Sequence, residues 1–344
     1  MSSATAALSG PVPLSRVWAK GSVVAEDLTG EDLSDVLQLH TDASAWWVLP
    51  RDPDYGAAEL RGVAQALDLD DLAVRDLLAT DRRAKFEALG TARLVVTNLV
   101  THDPASCSLT VHPISIIATD RVLICLVGDV DGFQPARLLL QKAELLAEGG
   151  VEVGLQLLIT AVVNTYESAV QWLEDAADGL SEVLFEERPL SRSEQLDAFR
   201  LRSALSQLRR VTEPMRAVMT DLVDNPPPAP KGGKGGKSTR TVRRWGMIAE
   251  QHTRVAAAAD ALREVLSSVF DTSLALADVR MNAIMKKLTA WAAIIAVPTL
   301  VTGFAGMNVA FPLDGTVAGF WLVLVIMVVS AVVLYVGFRR RGWI

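Results

Sequence analysis

Polar and apolar positions divide this chain into three textures. Up to about residue 150 short apolar runs alternate with polar stretches. Ser22-Val23-Val24-Ala25, Ala45-Trp46-Trp47-Val48-Leu49, Arg93–Val100, Ile116-Ile117-Ala118-Thr119 and Val122–Val127 are rich in β-branched or aromatic residues and bounded by turn residues. That pattern predicts strands. Ala57–Leu67 and Leu69–Leu78 predict short helices between them, and Phe133–Glu148 a helix leaving the sheet. The expectation is an α/β domain with a mixed or largely antiparallel sheet.

Beyond Val151 the period lengthens. Leu158, Val162, Tyr166, Val170, Leu173, Ala177, Leu180 and Leu184 recur at helical spacing over Leu155–Glu187. Arg188-Pro189-Leu190-Ser191 ends that helix, and Ser193 is placed to cap the next. The second helix runs to about Val223, with Pro214 as a point of bending. The short connection predicts an antiparallel helical hairpin. Residues 224–239 hold Pro226-Pro227-Pro228-Ala229-Pro230 and Lys231-Gly232-Gly233-Lys234-Gly235-Gly236-Lys237, a flexible linker by composition. Its end lacks the first Gly of a phosphate-binding loop and follows no strand, which excludes a nucleotide site there. From Arg243 helical character resumes, and no Pro or Gly interrupts Met247–Ala296. A helix of about 65 residues is near 100 Å long at 1.5 Å per residue. Such a helix calls for packing against copies of itself.

The third texture is membrane-like. Leu288–Leu313 and Gly315–Phe338 carry no charged side chain, and Asp314 is the one charge between them. Each run suffices to cross about 30 Å of hydrocarbon, which takes roughly 20 apolar residues. The chain therefore divides as 1–150, a cytoplasmic α/β domain; 151–287, a helical hairpin, linker and stalk helix; and 288–344, a two-helix transmembrane region with a basic tail. Lys286 and Lys287 precede the first run, and Arg339, Arg340 and Arg341 follow the second. Basic flanks favour the cytoplasm, which places both termini inside and the intervening loop outside.

Composition narrows the function. A net charge of -7 argues against nucleic acid as a partner. Cys107 and Cys125 form no C-x-x-C pair and read as reduced thiols. His40, His102, His112 and His252 are scattered without ligand spacing. Met1–Pro13 has neither the basic nor the apolar region of a signal peptide. The acidic run Glu174, Asp175, Asp178, Glu182, Glu186, Glu187 reads as a solvated helix face. No nucleophile–base pair, metal triad or nucleotide loop supports an enzyme.

Two apolar helices cannot enclose a water-filled path, so transport would demand an oligomer. Asn282, Met285, Thr289, Ala292, Ala296, Thr299, Gly303 and Gly306 follow one another at alternating +3 and +4 spacing. That stripe is small or polar through the span. It suits either close helix packing or a pore wall, and Asn308 at its outer end favours the pore.

Gly306-Met307-Asn308, preceded by Thr302-Gly303-Phe304-Ala305, closes the first of two C-terminal spans, and Arg339-Arg340-Arg341-Gly342-Trp343 forms a basic tail. With the order of α/β domain, helical hairpin and one very long helix, the chain resembles the CorA-type divalent cation transporters along nearly its whole length. The resemblance implies an α+β membrane protein that assembles as a homopentamer in the cell membrane. First-span helices would surround the pore and second spans would lie outside them. Family pore positions fall on Asn282, Met285, Leu288, Thr299, Gly303, Gly306, Met307 and Asn308, with Met285 and Leu288 at the apolar constriction. A bulky pore position of some members is Ala296 here. Asp76 and Asp271 resemble regulatory Mg²⁺ ligands that bridge neighbouring subunits.

The implied cargo is hydrated Mg²⁺, with Co²⁺ or Ni²⁺ as further candidates. Mg²⁺ keeps several waters when bound, and a ring of amide oxygens would hold that shell without stripping it. An acidic residue often follows the tripeptide in this family, whereas Val309-Ala310-Phe311-Pro312-Leu313 follows here. A zinc transporter of the same fold, and a membrane-anchored sensor or scaffold without transport, are the competing readings.

Overall fold

A strand buried on both faces reads as an unbroken apolar run, and Val122–Val127 is such a strand, buried at every position. It lies at the centre of the sheet in the computed structural model, which describes residues 14–19, 21–51, 55–64, 71–78, 83–90, 92–225, 239–307 and 316–344. The chain forms two compact units. One comprises Met1–Gly179 with Arg192–Leu266, the other Leu180–Ser191 with Ser267–Ile344.

The first unit opens with strands β1 (Ser15–Ala19) and β2 (Ser22–Glu26), helix α1 (Gly30–Leu39) and strand β3 (Ser44–Pro50). Helices α2 (Tyr55–Ala64) and α3 (Asp71–Leu78) come next. Strands β4 (Lys85–Leu89), β5 (Ala92–Asp103), β6 (Ser108–Ala118) and β7 (Val122–Val127) complete a seven-stranded sheet of order β2-β1-β3-β7-β6-β5-β4. Among the described residues, only β3 and β7 pair in parallel. The expected mixed sheet is therefore present, with more strands than apolar runs alone indicate. The apolar runs do not mark β1, β4 or the first part of β6. These segments carry polar residues or, in β6, Pro113, and are strands because an antiparallel neighbour supplies the ladder. Nor do the apolar runs mark α1, which Thr29 caps by accepting from the Asp32 N–H. Arg121 closes the other end of α1. Its guanidinium donates to the carbonyls of Leu37 (2.8 Å), His40 (2.6 Å) and Ala43 (3.0 Å).

Alternation along the strands assigns the two faces. Ala45, Trp47, Leu49, Val122, Ile124, Leu126, Leu94 and Val96 pack in one core with Leu33 and Leu37 of α1, Leu60 of α2 and Leu77 of α3. The opposite face is covered by helices. Helix α4 (Pro135–Gln141) and the first turns of helix α5 (Ala143–Phe185) occupy the segment Phe133–Glu148 expected as one helix, and α5 runs on through the helix expected over Leu155–Glu187. Gly150, at φ 62°, interrupts helical geometry inside α5. Helix α6 (Arg192–Asp224) begins one residue before Ser193 and continues through Pro214. Helix α7 spans 67 residues, Thr239–Ala305. Linker residues 226–238 lie outside the described residues.

Two polar clusters lie within and against this helical layer. The Tyr166 hydroxyl donates to the Asn98 carbonyl (2.6 Å), and the Thr97 hydroxyl to the Met215 sulfur (3.2 Å). His252 of α7 packs edge-on to Tyr166, and its Nε2 lies 3.0 Å from the Thr212 carbonyl. A carbonyl only accepts, so Nε2 carries the proton. Burial lowers the His252 pKa below the ordinary 6.5. Nearer the start of α7, Trp245 Nε1 donates to Glu152 Oε1, and the Gln156 amide joins that carboxyl (3.4 Å) to the Thr241 carbonyl (3.2 Å). Burial pushes Glu152 up to about 7, against the pull of Trp245, Arg93 and Gln156.

Candidate functional site

Among the described residues, three helices are long and apolar enough to cross a membrane. In the first, within α5, 56% of the apolar window is buried inside the protein, so its apolar face is a core face. The windows in α7 and in α8 (Val317–Arg340) are 6% buried. An apolar surface left open along one stretch of α7 and along α8 is what a lipid-facing or oligomeric element presents.

The end of α7 has two unlike sides. Ala290 is fully buried, and Ala293, Ile294, Val297, Pro298, Val301 and Ala305 are half-buried. Asn282, Met285, Thr289, Ala292, Ala296, Thr299, Gly303 and Gly306 are all exposed. Every described residue of the small and polar stripe thus lies on one open side. Leu288 (62% exposed) and Met285 (52%) stand toward its N-terminal end. A Cβ on Gly303 would meet nothing within 4 Å, so nothing in the chain's own packing requires glycine there. Helix α7 stops at Ala305, eight residues short of the end of the uncharged run. The Gly306 and Met307 N–H groups close its last turn on the Thr302 and Phe304 carbonyls (2.9 and 3.2 Å). The uncharged run outlasts the helix because the residues that follow it in the sequence are apolar too. Asn308 and the residues that follow it through Gly315 lie outside the described residues.

The threonines of the stripe have a particular chemistry. Thr289 donates its hydroxyl proton to the Met285 carbonyl and Thr299 to the Ile295 carbonyl, each at 2.8 Å. A hydroxyl whose proton is committed to the helix keeps its lone pairs. Both oxygens therefore face the open side as acceptors. The waters around a dication point their protons outward, and acceptors are what such a shell binds. The sequence marked these threonines as polar but could not show that their protons are already used.

The expected regulatory residues are less defined. Asp271 is exposed on α7, and Asp76 lies on α3 with its side chain outside the described residues. Among the described residues no group of three or more His, Cys, Asp or Glu could hold a metal ion. The buried Cys125 thiol is pushed up to about 12 by desolvation, which makes it inert.

The sequence family described as CorA-like Mg2+ transporter protein matches residues 44–340, from β3 to the end of α8. The chain belongs to this family. The cobalt/magnesium transport protein CorA of Thermotoga maritima is 26% identical over 287 residues, 82% of this chain and 79% of the relative. The protein of the same name from Methanocaldococcus jannaschii is 48% identical over 83 residues, 24% of this chain and 26% of the relative. Among solved structures, the complete CorA magnesium transporter from Methanocaldococcus jannaschii superposes with a TM-score of 0.75 at 21% identity. It covers 96% of this chain and 99% of its own. The full-length CmaX protein gives 0.71 at 22% identity, covering 97% and 100%. These likenesses establish the CorA fold: an α/β domain, long helices and apolar C-terminal helices.

Proposed function

We propose that this CorA-family chain is a membrane transporter for divalent cations that conducts hydrated Mg²⁺ as a homopentamer, with Co²⁺ and Ni²⁺ as further cargo. The observation that carries this reading is the exposed stripe on α7, with Thr289 and Thr299 as acceptors and an open Gly303, leading to Gly306-Met307-Asn308. A helix that kept this stripe only for packing in its own monomer would bury it. Copies of α7 around a common axis would turn the stripe inward, with Met285 and Leu288 as the narrow inner segment and an Asn308 ring at the outer mouth.

Neutral oxygens suit this cargo. They bind a water shell without stripping it and release it readily, and conduction needs both. After His252 the chain has neither His nor Cys, so apart from the Met285 and Met307 thioethers the path offers oxygen and backbone, without the imidazole and thiolate donors that favour zinc. Both termini lie in the cytoplasm, in keeping with the basic flanks. Residues 1–150 and 151–287 form the cytoplasmic part, and 288–344 the two-span membrane part. Cytoplasmic Mg²⁺ bound between Asp76 of one subunit and Asp271 of the next holds the ring closed. Its loss leaves carboxylates that repel and loosen the ring, a shift driven by differential affinity for the two states. The protein is not an enzyme.

The test is flux. Purified protein in vesicles that enclose a Mg²⁺-sensitive dye should admit Mg²⁺ down its gradient, and Asn308→Ala should reduce the rate. No flux, or an unchanged rate in the variant, overturns the reading. Cross-linking should give a ladder ending at five, and one that stops at two excludes the pore. Mg²⁺ should protect the parent from proteolysis more than Asp271→Ala, and equal protection removes Asp271 from the regulatory site.

A further inference from the structure

The end of α8 combines three features. Arg339, Arg340 and Arg341 are exposed and make no ion pair among the described residues. Gly342 adopts φ 69°, a left-handed conformation that costs glycine little. The turn it makes returns the Trp343 N–H to the Phe338 carbonyl (3.0 Å) and the Gly342 N–H to the Arg339 carbonyl (3.2 Å). This is a Schellman-type closure with its usual apolar contact. Here the contact is Trp343 stacked on Phe338, ring centroids 5.4 Å apart and planes 23° apart.

A second aromatic pair fixes the depth. Phe320 and Trp321 meet edge to face at 5.9 Å near the start of α8 and are exposed. From Phe320 to Phe338 the helix rises about 27 Å at 1.5 Å per residue, close to the roughly 30 Å of bilayer hydrocarbon. Aromatic rings collect at the two membrane–water boundaries. With one pair at each boundary, the three arginines fall at headgroup level, and Trp343 is held beside them by the fold rather than trailing free.

We propose that the turn at the end of α8 is a docking site for anionic phospholipid headgroups, formed by Arg339, Arg340, Arg341 and Trp343. Arginine forks match phosphate oxygens in pairs. The indole N–H is a further donor at the same level, and its ring rests on Phe338 at the hydrocarbon edge. The chain as a whole carries a net charge of -7, so the site is a local basic patch on an acidic protein. The proposal rests on the reading of α8 as a membrane span, with Lys286 and Lys287 of α7 on the same side.

The test uses the full-length protein in mixed vesicles that contain a small fraction of lipid brominated on its acyl chains, which quenches nearby tryptophan. The contribution of Trp343 is the difference between the parent and Trp343→Phe. Brominated phosphatidylglycerol should be enriched around Trp343 over brominated phosphatidylcholine by at least about fivefold, the worth of one cation fully engaged at an anionic surface. Raising the salt from about 0.1 M to about 1 M should remove most of that preference. Replacing the three arginines together with Gln should abolish it, and replacing them with Lys should keep most of it. Equal quenching by the two lipids, or a preference untouched by salt, overturns the proposal. Quenching needs no ion flux, so a protein that conducts Mg²⁺ without lipid preference refutes the headgroup site alone. One that shows the preference but conducts nothing refutes the transport reading alone.

Discussion

Replacing Glu152 with Gln should stabilise this protein above neutral pH. The carboxyl sits between α5 and α7, accepts from Trp245 and Gln156, and is raised from 4.5 to about 7 because burial outweighs those bonds and the attraction of Arg93. The folded state therefore holds a proton that the unfolded chain has already lost. Between pH 4.5 and about 7 stability falls as pH rises, and above that it levels off. At 1.36 kcal/mol per unit, the shift amounts to about 3 kcal/mol lost by pH 8. That figure already nets the favourable bonds against desolvation. Gln keeps the oxygen that Trp245 needs and never ionises. The variant should match the parent near pH 5 and exceed it by roughly 4–5 °C in apparent melting temperature at pH 8. The assay is thermal unfolding of the full chain in detergent, followed by intrinsic fluorescence across that pH range. If parent and variant show the same pH slope, or the variant melts lower at pH 8, Glu152 is not the buried acid described here.

His252→Gln should lose a different sensitivity. The folded-state pKa of His252 is depressed, so its contribution is present above 6.5 and lost as pH falls below it. The parent should lose melting temperature below pH 6.5 more steeply than the variant. Arg121→Ala should uncover the carbonyls of Leu37, His40 and Ala43, at a cost of about 2–3 kcal/mol read as a lower melting temperature. Thr299→Val keeps the side chain's shape and removes an acceptor from the exposed stripe. Mg²⁺ flux into vesicles should fall while the melting temperature changes little, and unchanged flux would take Thr299 off the path.

Much of this architecture is legible in one dimension because its signals are local. Two uncharged runs mark α7 and α8, Arg188-Pro189-Leu190-Ser191 separates α5 from α6, and the +3/+4 stripe from Asn282 to Gly306 follows from helical periodicity. Hydropathy alone cannot tell a membrane face from a core face. Part of α5 is apolar enough to span a bilayer, yet it is more than half buried within the protein. Strands β1 and β4 are five residues each and mix apolar with charged positions, Arg16 in β1 and Lys85 and Glu87 in β4, and their ladders with neighbouring strands are what define them. The stripe itself was ambiguous between packing and pore. The fold leaves it open, turns the Thr289 and Thr299 oxygens outward and sets nothing against Gly303. The raised acid at Glu152 and the arginine–tryptophan turn at the end of α8 likewise came only from the fold. Burial and chain reversal are three-dimensional facts, set by which side chains meet across long stretches of sequence.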